Sequence, residues 1–148
     1  MEERRRAVLE FVAAQLAFAA GLIHLALGVR NWLRWLGAGF WLPRDVRWPL
    51  FVGSGLAVLA GLYAASRAAN RRPYYAAGVV AMLGFAVAYF GWHLGGHRPL
   101  LLVGAAAGTE SITLDWFLDH ALAGPLETAS LLAELVAAAA LLALLAGD

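Results

Sequence analysis

Residues 7–29 read AVLEFVAAQLAFAAGLIHLALGV, and this stretch decides the class of fold. It carries one charged side chain, Glu10, and is otherwise apolar apart from Gln15 and His24. Coiled as a helix at about 1.5 Å per residue it reaches about 35 Å, enough to cross a hydrocarbon core of roughly 30 Å. Three further stretches have the same character, at 48–68, 73–94 and 118–145. The sequence therefore predicts an all-α, polytopic integral membrane protein, a single domain over 1–148 built as an up-down bundle of four transmembrane helices.

Composition supports this. Of 148 residues, 62% are hydrophobic and 14% charged, against roughly 45–50% and about 25% in an ordinary soluble domain. A soluble fold this small could not hide so much apolar surface. A net charge of +1 implies no steering toward nucleic acid. The expected partners are the lipid bilayer and a second copy or another membrane subunit. There is no cysteine, which removes disulfides and thiolate metal sites. There is no lysine either, since all eleven basic residues are arginine, and this excludes a Schiff base. The Asp115-Trp116 pair followed by Pro125 is for the same reason not a retinal helix.

The first six residues and the run behind them have the layout of a signal peptide. Glu2, Glu3 and Glu10, and a run long enough to span, argue for a retained first helix. Asn70-Arg71-Arg72-Pro73 predicts a tight turn between spans two and three, with proline in the first helical turn. Residues 30–47 carry Trp32, Trp35 and Trp41, with Arg30 and Arg34 one turn apart, and read as an interfacial amphipathic segment. Residues 95–113 contain an apolar run too short to span, expected to dip into or lie on the membrane. Six arginines flank the spans on the side of the termini and five on the other. That bias leans toward a multi-pass protein of the cell membrane with both termini cytoplasmic.

Four antiparallel spans bring all four histidines, His24, His93, His97 and His120, toward one end of the bundle, and all six tryptophans with them. In span one Glu10, Ala14, Ala17, Gly21, His24, Gly28 and Asn31 share one stripe, so His24 is expected to face protein. In span four His120, Ala123, Glu127, Ser130, Glu134 and Ala137 do the same. Glu134 falls near mid-membrane, where a charge costs roughly 2.5–3.5 kcal/mol on insertion scales, so it must be neutral, paired or wet. His93 and His97, four apart, share a helix face. The small stripe of span three, Ala77, Ala81, Gly84, Ala88, Gly91 and Gly95, lies almost opposite. Either the histidines face the bundle and the stripe faces outward, or the reverse.

Three functions follow as expectations. His24, His93, His97 and His120 together suit a transition metal. Haem b would need axial histidines from two helices, His24 opposite His93 or His120, for membrane electron transfer. Alternatively Glu127 and Glu134, with Glu10 at the opposite end and Ser130 in the gap, form a proton path of a transporter or channel. The third expectation is an accessory or scaffold subunit without chemistry of its own. No phosphate loop, dinucleotide fingerprint or HExxH assigns catalytic residues.

Overall fold

The structure, a computed structural model, describes residues 2–41, 45–94 and 113–147. Among these the chain forms five helices, α1 (Glu3–Gly37), α2 (Arg47–Arg67), α3 (Arg72–Leu94), α4 (Leu114–Ala121) and α5 (Pro125–Gly147). Four of them, all but α4, are long and apolar enough to cross a membrane. Consecutive long helices run in opposite directions. Glu10 near the start of α1 bonds to Arg71 and Tyr75 at the α2–α3 turn, and Leu144 near the end of α5 packs with Ala13 and Tyr75.

Helix α1 is longer than the expected span. Its 35 residues rise about 52 Å, so it overruns a bilayer core by several turns. The predicted interfacial segment therefore begins as a continuation of α1, carrying Trp32 and Trp35 on the same helix. The chain turns away only at Gly39, whose φ of 84° suits a residue without a Cβ. Residues 42–44 and 95–112, which hold His97 and all of the predicted dipping stretch but Thr113, lie outside the described residues.

The expected fourth span is corrected: 118–145 is two helices. The cause is Gly124-Pro125. Proline has no N–H to give α4, and it disfavours helical geometry in the residue before it. At the first position of a new helix it costs nothing, and α5 starts there. Thr128 Oγ1 donates to the Ala121 carbonyl at 3.1 Å and ties the break together. The stripe expected to run from His120 to Ala137 is thereby cut, and its members before Pro125 point by a different helical phase.

Close packing is set by small residues. The stripe of α1 is buried as expected at Ala17, Gly21, His24 and Gly28, joined by Ala13 and Ala20. On α5, Ala133, Ala137, Ala138 and Ala140 face it, so the two backbones approach closely. Helix α3 turns bulkier residues inward, Tyr75, Val79, Met82 and Ala86, and leaves Gly84, Ala88 and Gly91 exposed. Of the small stripe expected on α3, Gly84, Ala88 and Gly91 point outward, while Ala77 and Ala81 line a cleft beside α2. Helix α2 lies against α1, and α3 against α5, while α2 and α3 meet sparsely. They are joined by the turn at Ala68–Arg71 and pinned at the far end by Arg47, whose guanidinium lies 3.7 Å over the Trp92 ring. Between these two points a cleft opens.

Candidate functional site: a buried imidazole–carboxylate pair

Glu134 is 3% exposed and His24 7%, each near the middle of its helix and each from a different helix. His24 Nε2 lies 3.1 Å from Glu134 Oε1. Ser130, one turn before Glu134 on α5, donates from Oγ to the same oxygen at 2.8 Å. On the other side of the ring, Nδ1 lies 3.4 Å from Ser54 Oγ on α2. The ring is held between aromatic faces. Phe51 stacks on it at 4.7 Å and 9° between planes, and Phe85 of α3 packs at 4.3 Å. All four long helices therefore contribute to one polar centre inside an apolar bundle.

The direction of the hydrogen bonds matters. The Ser54 hydroxyl donates to the Phe51 carbonyl at 3.2 Å, and the Ser130 hydroxyl donates to Glu134. The Ser54 hydroxyl can donate to one acceptor at a time, the Phe51 carbonyl or His24 Nδ1, and the Glu134 carboxyl lies at the other ring nitrogen. A ring with hydrogen on Nε2 donates to Glu134 and accepts at Nδ1 from a Ser54 hydroxyl turned toward it, whereas a ring with hydrogen on both nitrogens donates to both oxygens. The two forms differ by a proton and little movement, because the aromatic clamp fixes the ring. Such a centre can take up a proton on one side and release it on the other.

The other expected residues fall elsewhere. Glu127 is exposed in the first turn of α5, where a carboxylate suits the positive end of the helix. It still shares a face with Ser130 and Glu134, three and then four residues on, about 10.5 Å of rise in all. Glu10 caps the opposite end of the bundle. Its Oε1 accepts from Tyr75 Oη at 2.6 Å and Arg6 Nε at 3.1 Å, and its Oε2 from Arg71 Nη1 at 2.8 Å. That ties α1 to the α2–α3 turn.

The histidines share an end of the bundle but not a depth. Phe85 touches His24, and His93 lies eight residues further along α3, about 12 Å nearer the helix end. His93 meets His120 instead, ring on ring edgewise at 4.7 Å between centroids. Among the described residues no three histidine, aspartate or glutamate side chains are placed to share a metal ion. Both ring nitrogens of His24 already face partners, Glu134 and Ser54, while the His93 and His120 ring centroids lie 4.7 Å apart. Of the three histidines expected to converge, His93 and His120 are in contact, and His24 sits about 12 Å deeper in the bundle.

The outer pair has its own order. His93 Nδ1 donates to the Tyr89 carbonyl at 2.8 Å, and His120 Nδ1 to the Trp116 carbonyl at 2.7 Å. Tyr89 Oη donates to the His120 carbonyl at 2.6 Å, and Phe117 stacks on Phe90 at 4.8 Å, which docks α4 on the end of α3.

Sequence reasoning missed Ser54 and Phe51. The available signal was a lone hydroxyl between Gly53 and Gly55 in the middle of span two. Arg71 as the partner of Glu10 was missed too, having been read as part of a turn and of the arginine count that sets orientation. The chain matches no family model, no curated protein and no solved structure.

Proposed function

We propose that the protein is a multi-pass membrane protein, its four long helices spanning the bilayer with both termini cytoplasmic, and that it moves protons as a channel or proton-coupled transporter. The observation that carries the reading is the His24–Glu134 contact, a titratable pair enclosed by apolar helices and bonded to a serine on each side. Ionisable groups at that depth are expensive and are retained for work. The route begins at exposed Glu127, passes Ser130 to Glu134 and His24, and leaves by Ser54 into the cleft between α2 and α3. Ordered waters complete the steps that side chains do not reach.

The test is proton exchange in proteoliposomes carrying a pH-sensitive dye. Wild-type protein dissipates an imposed pH gradient faster than empty vesicles. Glu134→Gln keeps the shape and the Ser130 bond but cannot exchange a proton, and is expected to reduce the rate by at least about a hundredfold, the low end of what a positioned proton-transfer group contributes. Glu127→Gln, at the exposed mouth, reduces it less. A rate for Glu134→Gln equal to wild type removes the proposal.

A second reading keeps one observation in its favour. The Nδ1 bonds of His93 and His120 to backbone carbonyls fix the tautomer, the arrangement that prepares Nε2 to bind a metal. In that reading the outer pair holds a transition metal or the edge of a haem b. An absorption spectrum before and after dithionite, with elemental analysis, decides it, and protein with no Soret band and no bound metal ends it.

A further inference from the structure

The cleft between α2 and α3 has a volume of about 510 Å³. Its walls are small because the facing residues are: Ala57, Gly61 and Ala65 on α2, Ala77, Gly78 and Ala81 on α3. At the inner end are Ser54 and Phe85, which touch His24. At the outer end are Ser66, Arg71, Tyr75 and Glu10. The distance between the ends, Ser54 to Ser66, is about 18 Å of helix.

A second hollow of about 440 Å³ lies at the outer end and shares Glu10 and Arg71 with the cleft. It is polar and basic, with Arg6, Arg71 and Arg72 set against Glu3 and Glu10. Glu10 already occupies one nitrogen of Arg6 and one of Arg71. Among the described residues no hydrogen bond or ion pair engages the Arg72 guanidinium. Three guanidiniums against two carboxylates leave one net positive charge in this hollow.

We infer that the two cavities together hold one anionic phospholipid, its phosphate against Arg6, Arg71 and Arg72 and one acyl chain lying along the cleft as far as Ser54. Charge selects the headgroup, and the long apolar channel running from it selects the chain. Basic pockets between membrane helices recognise lipid headgroups by this chemistry. The chain end then lies beside the hydroxyl through which His24 meets the cleft. Resting on the proton relay proposed above, an occupied cleft keeps water from Ser54 and slows exchange, and an emptied one admits it.

Binding is measured apart from proton movement. Full-length protein in detergent is mixed with phosphatidylglycerol or phosphatidylcholine of identical chains, and retained lipid is read by native mass spectrometry. Phosphatidylglycerol is expected to be held more tightly. Arg72→Gln should weaken it about fivefold, the worth of one surface arginine near a lipid phosphate. Gly61→Phe fills the cleft where an added Cβ meets nothing within 4 Å, and should weaken both lipids. Equal retention of the two lipids overturns the proposal, as does Gly61→Phe without effect. So does displacement of bound lipid by inorganic phosphate alone, which would make the hollow a free-anion site. In proteoliposomes, phosphatidylglycerol should slow exchange severalfold relative to phosphatidylcholine. Tight binding with no such slowing overturns the gating and leaves the lipid site, whereas a Glu134→Gln rate equal to wild type overturns the relay and leaves the binding result standing.

Discussion

Glu134→Leu is expected to cost the fold about 3–5 kcal/mol, the usual penalty for removing one partner of a buried pair. The double variant His24→Leu, Glu134→Leu is expected to cost far less than the sum of the two single changes. The single change leaves an imidazole at 7% exposure facing one hydroxyl at 3.4 Å, with no carboxylate to offset its burial. His24→Leu strands the carboxylate with Ser130 as its one remaining donor. Removing both takes away the two desolvation costs along with the attraction between them, and Leu packs against Phe51, Phe85 and the alanines nearby. Replacing a whole buried pair by apolar residues is often neutral or stabilising. The measurement is reversible unfolding in mixed micelles for wild type, both single variants and the double variant. Additive costs would mean that the two groups are not coupled, and the site would lose its basis. If the double variant is stable yet fails to exchange protons, the pair is retained for function at the expense of stability.

Half of this site could be read from the chain. Helical spacing alone put His24 among small residues facing protein, and put Ser130 and Glu134 on one face of the last span. The depth of Glu134 in an apolar run demanded a partner. Which partner it took was not legible, because that depends on how far each helix slides along its neighbour. Counting spans gives the end of the bundle a residue belongs to, and all the histidines shared one. It does not give depth, and about 12 Å of depth separates His24 from His93. The metal and haem expectations used the shared end, and depth is a separate coordinate that hydropathy does not carry.

The fold was more legible than the site. Length and hydropathy marked four helices that match α1, α2, α3 and α5 in number and order. Their ends were less certain, for physical reasons. Nothing in the sequence stops α1 before Gly37, since the arginines and tryptophans past Val29 are good helix residues that suit headgroup depth. Gly124-Pro125 was visible as a pair, but hydropathy runs on through it and conceals the break. The cleft between α2 and α3 was out of reach, because small residues on two helices predict close approach, and only the structure shows that these two walls stand apart.

Gly55→Ala and Gly53→Ala, the same change two positions apart, should move stability in opposite directions. A Cβ on Gly55 would stand 2.7 Å from the Gly21 carbonyl oxygen and 2.8 Å from the Leu25 nitrogen, both backbone atoms that cannot rotate aside. Gly28 is in the same position against α2, with the Val52 nitrogen at 2.8 Å and the Trp48 carbonyl at 2.9 Å. Here α1 and α2 touch backbone to backbone. A single methyl must push the helices apart, at about 1–3 kcal/mol for overpacking. A Cβ on Gly53 meets nothing within 4 Å, and alanine there should gain roughly 0.5–1 kcal/mol by lowering the entropy cost of a helical glycine. The consequence reaches the site, because Phe51 and Ser54 ride on the same helix that Gly55 holds in place. Displacing α2 by even part of an ångström lengthens the Ser54–His24 contact beyond 3.4 Å and loosens the Phe51 stack. Gly55→Ala should therefore lose proton exchange along with stability, while Gly53→Ala keeps it. Unfolding midpoints that shift in the same direction for both variants would show that α1 and α2 are not in backbone contact.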